Sequence, residues 1–276
     1  MGLNTREVKA DLCVVGGGIA GTFAAISAAR QGVKVALVNE RPVLGGNASS
    51  EIRMWICGAQ QNGYRESGLN EELNIKNYYY NPDKNHYLFD LTLLGLVRAE
   101  KNIELILNAT VHAAKTDGDT ITSVTAYQMT TQTEITVTAK YFADCSGDSI
   151  LAPLTGAAFA VGRESKAETG ESMMYYGGAG DDKTMGNSLL IQARYVGKPV
   201  KFTAPDWAEK VPAAKLESKG TCITSPWENF WYLELGGDRD AIRDTEALRD
   251  ELIGLALGTW DYVKNRAEAE KAKNWD

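Results

Sequence analysis

A chain of 276 residues, 44% of them apolar, is long enough for one large domain or two modest ones and can bury a substantial core. A net charge of −7 with no basic run excludes a nucleic-acid-binding surface. Cys13, Cys57, Cys145 and Cys222 form no CxxC pair and no zinc spacing, so no metal site is expected, and the pattern fits a reducing, cytoplasmic setting.

The first predicted element is a strand over Val8–Val15, whose unalternated apolar run suggests burial on both faces of a parallel sheet. Gly16-Gly17-Gly18-Ile19-Ala20-Gly21 follows and opens a small-residue helix over Ile19–Gln31. A second strand, Lys34–Asn39, ends at Glu40. This is the arrangement that binding a dinucleotide requires. Gly16 permits the tight turn, Gly18 lets the backbone approach a pyrophosphate, and Gly21 lets the helix pack close to the sheet. The diphosphate would lie at the helix N-terminus, where N–H groups and the dipole favour negative charge. Glu40 would accept hydrogen bonds from the adenosine ribose. Residues 12–29 also mimic the hydrophobic region of a signal peptide. The three consecutive glycines break such a helix, and Glu7 and Asp11 spoil its basic flank. No other stretch approaches the roughly 18 apolar residues that a membrane span needs, so no membrane partner is expected.

Residues 41–64 read as a long loop, a feature that is often functional in compact domains. Helices are predicted over Ser67–Tyr79 and Leu88–Lys101, and a strand over Ile103–Leu107. Thr110–Lys115, Thr120–Met129 and Thr133–Thr138 read as an antiparallel meander with a hairpin turn at Asp117-Gly118-Asp119. Beyond Gly162 the chain turns polar and glycine-rich, then proline-containing. Phe230–Leu235 is strand-like, and Leu248, Leu252, Leu255, Trp260 and Val263 mark a helix over Asp244–Arg266. The tail from Ala267 to Lys273 reads as a solvated helix end or a disordered segment.

The stretch Asp11–Glu40 resembles the N-terminal fingerprint of FAD-dependent oxidoreductases of the glutathione-reductase structural class. Arg41-Pro-Val-Leu-Gly45-Gly46-Asn47-Ala-Ser49-Ser50 is similar to the Gly-Gly loop of those flavoproteins. Asp144-Cys145-Ser146-Gly147-Asp148 looks like a D-x-[TS]-G-D motif where the chain re-enters the FAD domain. The resemblance covers residues 11–164. It implies an α/β fold: a parallel Rossmann-type FAD-binding sheet with an antiparallel β-meander, plus a partial second α+β substrate region. The expected boundaries are 1–163 for the FAD-binding domain and 164–276 for the partial substrate or cap region. Gly236-Gly237-Asp238 is a candidate for the C-terminal flavin segment of this class, but the charged Arg239-Asp-Ala-Ile-Arg-Asp after it does not start a close-packing helix. The chain therefore reads as a fragment of a longer flavoprotein.

The resemblance implies FAD as cofactor, bound at Gly16, Gly18, Ile19, Ala20, Gly21, Asn39, Glu40, Arg41, Gly45, Gly46, Asn47, Ser49, Ser50, Cys145, Ser146, Gly147 and Asp148. The isoalloxazine should lie near the Gly45–Arg53 loop. Arg53 is a candidate for placing positive charge near reduced flavin, and His86, a loop histidine, is a candidate catalytic base. For Ser49 and Ser50, ordinary loop capping is an equal alternative. For Asp148 the alternative is an N-cap for a helix starting at Ser149. Tyr78–Tyr80 and Trp207, Trp227, Trp231 and Trp260 read as core, with a sugar-like or aromatic pocket as the other option.

The expected function is FAD-dependent oxidoreduction, with hydride transfer between a small, hydroxylated or sugar-like substrate and flavin N5. Two other readings remain open: an NAD-binding dehydrogenase, and a truncated, catalytically silent FAD-binding fragment.

Overall fold

The structure, a computed structural model, describes residues 2–54, 56, 58, 66–172, 178–191, 193–217, 233–267 and 269–276. It divides into two compact units, Met1–Phe159 and Ala160–Asp276. Among the described residues, no helix is long and apolar enough to cross a membrane.

The first unit begins with β1 (Asn4–Lys9) and β2 (Leu12–Val15), followed by α1 (Ile19–Arg30) and β3 (Val35–Val38). Helices α2 (Gly68–Tyr80) and α3 (His86–Ala99) lead to β4 (Ile103–Ile106). The meander is β5 (Ala109–Asp117), β6 (Thr120–Gln128) and β7 (Thr133–Thr138). Strand β8 (Tyr141–Asp144) and the short α4 (Leu151–Thr155) complete the unit. Strands β4, β3, β2 and β8 form a parallel sheet in that order. Strands β1, β7, β6 and β5 form a second sheet, in which β1 runs parallel to β7 and the remaining pairs are antiparallel.

The expected strand over Val8–Val15 is thus two strands in two sheets. The chain bends at Ala10–Asp11, beside the corresponding bend at Ala139–Lys140. Ala10 N–H donates to Thr138 O at 3.0 Å, and the N–H groups of Lys140 and Tyr141 donate to Asp11 O at 3.1 and 3.0 Å. Two neighbouring strands therefore cross from one sheet to the other at the same place. The run gives no sign of such a crossing, because Val8 of β1 is buried like Cys13–Val15 of β2 and the bend is set by partners far along the chain.

Alternation along β2 and β3 builds the layers. Cys13, Val15, Ala36 and Val38 face the meander side with Val124, Ile135 and Val137. Val14, Val35 and Leu37 face Ala25 and Ile26 of α1, Leu73 of α2, and Leu93 and Leu96 of α3. The sheet is covered on both sides, which is why its central strands β2 and β3 read as continuous apolar runs. On the surface, Arg30 at the end of α1 bonds Glu72 of α2 through two nitrogens (2.7 and 3.0 Å) and Glu100 after α3 at 2.7 Å. The guanidinium holds the Glu72 carboxyl down to about 2.

The second unit contains the short α5 (Lys166–Thr169), β9 (Asn187–Leu189), α6 (Ala213–Glu217), β10 (Leu233–Leu235), α7 (Thr245–Tyr262) and α8 (Ala269–Ala272), with β9 and β10 antiparallel. Leu248, Leu252 and Leu255 of α7 are buried, and Val263 begins a π-helical turn, so the α-helix stops short of Arg266. Gly236 and Gly237 form a turn between β10 and α7. A Cβ at Gly236 would meet Leu248 Cδ1 at 2.6 Å, so this turn is close-packed on α7. Of the two options for the tail, the helix end is the one observed: Glu270 and Lys271 of α8 and Lys273 after it are exposed, while its end is anchored to the unit. Ala272 and Trp275 are buried, and Lys264 Nζ donates to the carbonyls of Ala272 and Trp275 at 2.8 and 2.6 Å. Arg194 and Asp276 exchange backbone hydrogen bonds at 2.7 and 2.8 Å.

Candidate functional site

The site lies at the C-terminal ends of β2, β3 and β8, the edge at which open α/β sheets bind ligands. Each glycine of the first turn has a distinct steric role. Gly16 has φ +103°, and a Cβ there would lie 2.2 Å from Cys145 O. A Cβ at Gly21 would lie 1.9 Å from Gly16 O, so α1 sits as close to the turn as backbone allows. A Cβ at Gly18 would meet nothing within 4 Å. Gly18 thus faces open space at the N-cap of α1, whose first turn carries no acidic residue. Ile19 is half-buried and Ala20 is exposed beside it.

The turn is held from three directions. Asn39, 5% exposed, accepts the Gly17 N–H on Oδ1 at 2.9 Å. Its Nδ2 donates to the carbonyls of Arg41 and Val43 at 3.1 and 2.9 Å, so the amide is committed to protein backbone. Thr22 Oγ1 donates to Gly17 O at 3.0 Å. The second glycine pair packs on the first: Gly45 N–H donates to Gly17 O at 2.8 Å, and a Cβ at Gly46 would reach Gly18 Cα at 3.2 Å. Glu40 is exposed, with Arg41 Nε 3.5 Å from its Oε1 and Arg41 Nη1 3.9 Å from Glu51.

In the loop after Gly45, Asn47 is exposed and Ser49 is buried. Ser49 Oγ donates to Gly46 O at 2.7 Å, a local capping bond. Ser50 N–H donates to Asp90 Oδ1 of α3 at 2.9 Å. Arg53 adopts φ +63°, a left-handed conformation uncommon outside glycine. His86 is the first residue of α3 rather than a loop histidine. Its pKa is lowered by burial and then by the Arg53 charge, partly offset by Asp90. The two catalytic candidates, far apart in sequence, therefore share one electrostatic neighbourhood. Asp90 escaped sequence reasoning, although its sign was visible: a carboxylate in the row Asp90, Leu93, Leu96, Val97.

The segment after β8 caps α4 with residues other than the one expected. Asp144 Oδ2 accepts the Leu151 N–H at 2.7 Å, and Ser146 Oγ accepts the Ile150 N–H at 3.0 Å. Asp148 is exposed and performs no such capping, and Gly147 adopts φ +90°. The Cys145 thiol is pushed up by burial and by Asp144, and that of Cys13 is pushed up to about 12 by burial. Both stay protonated at neutral pH, which gives neither the thiolate needed for redox chemistry. Cys57, Trp227 and Trp231 lie outside the described residues. Tyr78, Tyr79, Tyr80 and Trp207 are exposed, at 84%, 80%, 69% and 63%, and are not core. His112 lies in β5, 3.6 Å from Glu134 Oε1 on the surface.

Two glycine turns stacked at a helix N-terminus, with an acid after the second strand, define a dinucleotide-binding α/β domain. The model of the FAD dependent oxidoreductase family matches residues 11–271, and the chain belongs to that family. Membership assigns FAD as the cofactor, in place of NAD. Among solved structures, the chain is similar to an L-proline dehydrogenase from P. horikoshii (20% identity, TM-score 0.34, covering 59% of this chain and 24% of that one). It is also similar to a geranylgeranyl bacteriochlorophyll reductase-like protein from Thermoplasma acidophilum (17%, TM-score 0.40, 56% and 44%). A third is a myxobacterial chondrochloren halogenase, described as a variant of FAD-dependent halogenases (17%, TM-score 0.38, 50% and 37%). The chain thus spans less than half the length of these structures. No curated protein matches it in sequence.

The residues present fit the diphosphate of FAD. Gly18 leaves open space that a side chain would fill, and Gly46 lies close enough to it that an added Cβ would stand 3.2 Å from Gly18 Cα. The helix end supplies N–H donors with no competing carboxylate.

Proposed function

We propose that the chain is the FAD-binding part of an oxidoreductase that moves a hydride between a C–H bond of a small substrate and flavin N5. Residues 1–163 would form the FAD-binding domain and 164–276 a partial substrate region. The diphosphate would cross Gly18 at the start of α1, with Ile19, Ala20 and Gly46 beside it, and the ribose of adenosine would meet Glu40. Gly16, Gly21, Asn39 and Arg41 would shape this cradle. Cys145, Ser146, Gly147 and Asp148 would border it from β8. The observation that carries the reading is the open space above Gly18, between two close-packed glycine turns.

Bound FAD supplies the redox chemistry, and the protein contributes orientation and electrostatics. In this reading the Gly45–Arg53 loop, with Asn47 outermost, faces the isoalloxazine. Arg53 places positive charge where a reduced, anionic ring would gain from it. His86, kept neutral at pH 7, accepts a proton at a ring nitrogen from a substrate hydroxyl. A small, hydroxylated substrate suits that pair. A cytoplasmic location is supported by the free thiols of Cys13 and Cys145.

The test is the visible absorption spectrum of the purified chain and of its supernatant after heating. Paired flavin bands released by heat are expected. A colourless protein that also fails to take up added FAD would overturn the reading.

A further inference from the structure

The buried stripe of α3 holds a single carboxylate. Asp90 is 7% exposed, in one row with Leu93, Leu96 and Val97. A carboxylate in such a row is costly unless it is hydrogen-bonded or paired. Asp90 Oδ1 accepts the Ser50 N–H at 2.9 Å, from a residue 40 positions away. One turn further on the same face, Leu93 supports the same loop: a Cβ at Gly45 would stand 3.3 Å from Leu93 Cδ2. Helix α3 therefore holds the loop at two points, one apolar and one polar.

The loop between these points is bonded to itself. Arg53 N–H donates to Ser49 O at 2.7 Å, and Met54 N–H to Asn47 O at 2.8 Å. These bonds tie it into one unit, and its forward end is Gly46, against Gly18 Cα. A left-handed Arg53 persists only where the surroundings hold it.

We propose that Asp90 is a positioning residue for the FAD cradle: through the Ser50 N–H it clamps the Gly45–Arg53 loop to α3 and so keeps Gly46 seated on Gly18. The inference rests on the reading of this cradle as the FAD site. Asp90 itself does not touch the cofactor. Leu93 fixes how close the loop lies to α3, and the Asp90 bond fixes its rotation about that contact.

The experiment titrates apo wild type, Asp90→Asn, Asp90→Ala and Gly18→Val with FAD by fluorescence, and compares the visible spectra at saturation. Asp90→Asn keeps an acceptor for Ser50 and is expected to bind within about threefold of wild type. Asp90→Ala is expected to lose about tenfold or more, as for one lost charged hydrogen bond. Its bound-flavin spectrum is expected to shift, which a loss of stability alone would not cause. Hydrogen exchange on the wild type tests the clamp without any variant: the Ser50 amide should exchange slowly, and more slowly with FAD. Wild-type affinity and spectrum in Asp90→Ala, equal loss in both Asp90 variants, or free exchange at Ser50 would each overturn the clamp. If Gly18→Val still fails to bind, the FAD reading stands without it. A wild type that takes up no FAD overturns the reading itself.

Discussion

Asn39, the residue after β3, accepts the N–H of Gly17, the middle glycine of the turn after β2, at 2.9 Å. The same amide donates to the Arg41 and Val43 carbonyls, so one side chain sets the turn and the start of the next loop together. Asn39→Ala would leave the Gly17 N–H and two carbonyls without these partners. Leaving a buried polar group unsatisfied costs about 1–3 kcal/mol. A loss of at least about 2 kcal/mol in urea unfolding of the apo chain is expected, along with weaker FAD binding. Asn39→Asp keeps the acceptor but sets a carboxylate against two carbonyls, and should be no better than Ala. Unchanged stability in Asn39→Ala would show that the turn holds itself.

The two outer glycines of Gly18-Ile-Ala-Gly21 separate binding from folding. At Gly21 a Cβ collides with Gly16 O at 1.9 Å, so Gly21→Val forces α1 off the sheet. Overpacking of that kind costs about 1–3 kcal/mol, and more where backbone is the obstacle. At Gly18 nothing lies within 4 Å of an added Cβ, so Gly18→Val should unfold within about 0.5 kcal/mol of wild type, the range for benign exposed substitutions. It should nonetheless lose FAD, because the side chain fills the space above the turn. Calorimetry of both apo variants, followed by FAD titration, checks the contrast. Flavin bound normally by Gly18→Val would place the diphosphate elsewhere.

These glycines were legible because the physics that constrains them is local: a turn, a helix start and a strand end within a few residues. The layer order was legible too, from unalternated strands followed by the alternating meander. The crossing at Ala10–Asp11 was hidden, because β1 and β2 are both partly buried and the break is defined by partners at Thr138 and Lys140, far along the chain. Asp90 was hidden for the same reason, since its partner Ser50 is 40 residues away. The charge of Ala267–Lys273 makes a solvated helix end legible, and α8 is one, with Glu270, Lys271 and the following Lys273 exposed. Its anchorage is not legible, because it rests on distant groups: the ammonium of Lys264, buried at 5% exposure, and the backbone pairing of Asp276 with Arg194.

Glu40 is exposed, and Arg41 lies 3.5 Å away, a weak exposed pair that does not hold the carboxylate back from a ligand. Glu40→Ala should therefore leave stability near wild type and weaken FAD by about 1.5–3 kcal/mol, the range for hydrogen bonds to a charged group. Titration calorimetry with FAD measures this directly. Unchanged affinity would show that the acid points away from the ribose.

Lys264 is the polar keystone of the second unit. Its Nζ reaches the Ala272, Lys273 and Trp275 carbonyls at 2.8, 3.4 and 2.6 Å. Lys264→Met preserves the stem but leaves those carbonyls facing an apolar side chain. A destabilisation of about 2 kcal/mol or more is expected, with faster hydrogen exchange at Trp275 and Asp276. Slow exchange retained there would mean that Trp275 packing alone fixes the tail.

His86 gives the first unit a pH dependence whose sign follows from its surroundings. Burial and then Arg53 lower its pKa below the ordinary value near 6.5, and Asp90 only partly offsets them. The folded chain resists a proton that the unfolded chain accepts. The stability due to neutral His86 is therefore complete above about pH 6.5 and is lost as the pH falls through the lower, folded value. Urea unfolding at pH 7.5 and pH 5.5 should show a drop that is smaller in His86→Gln, which carries no titrating ring. Asp90→Asn removes the offset, so the imidazole should titrate lower still by NMR than in the wild type. An imidazole that titrates above 6.5 in the wild type would place Arg53 away from it and separate the two groups that the proposed reaction brings together.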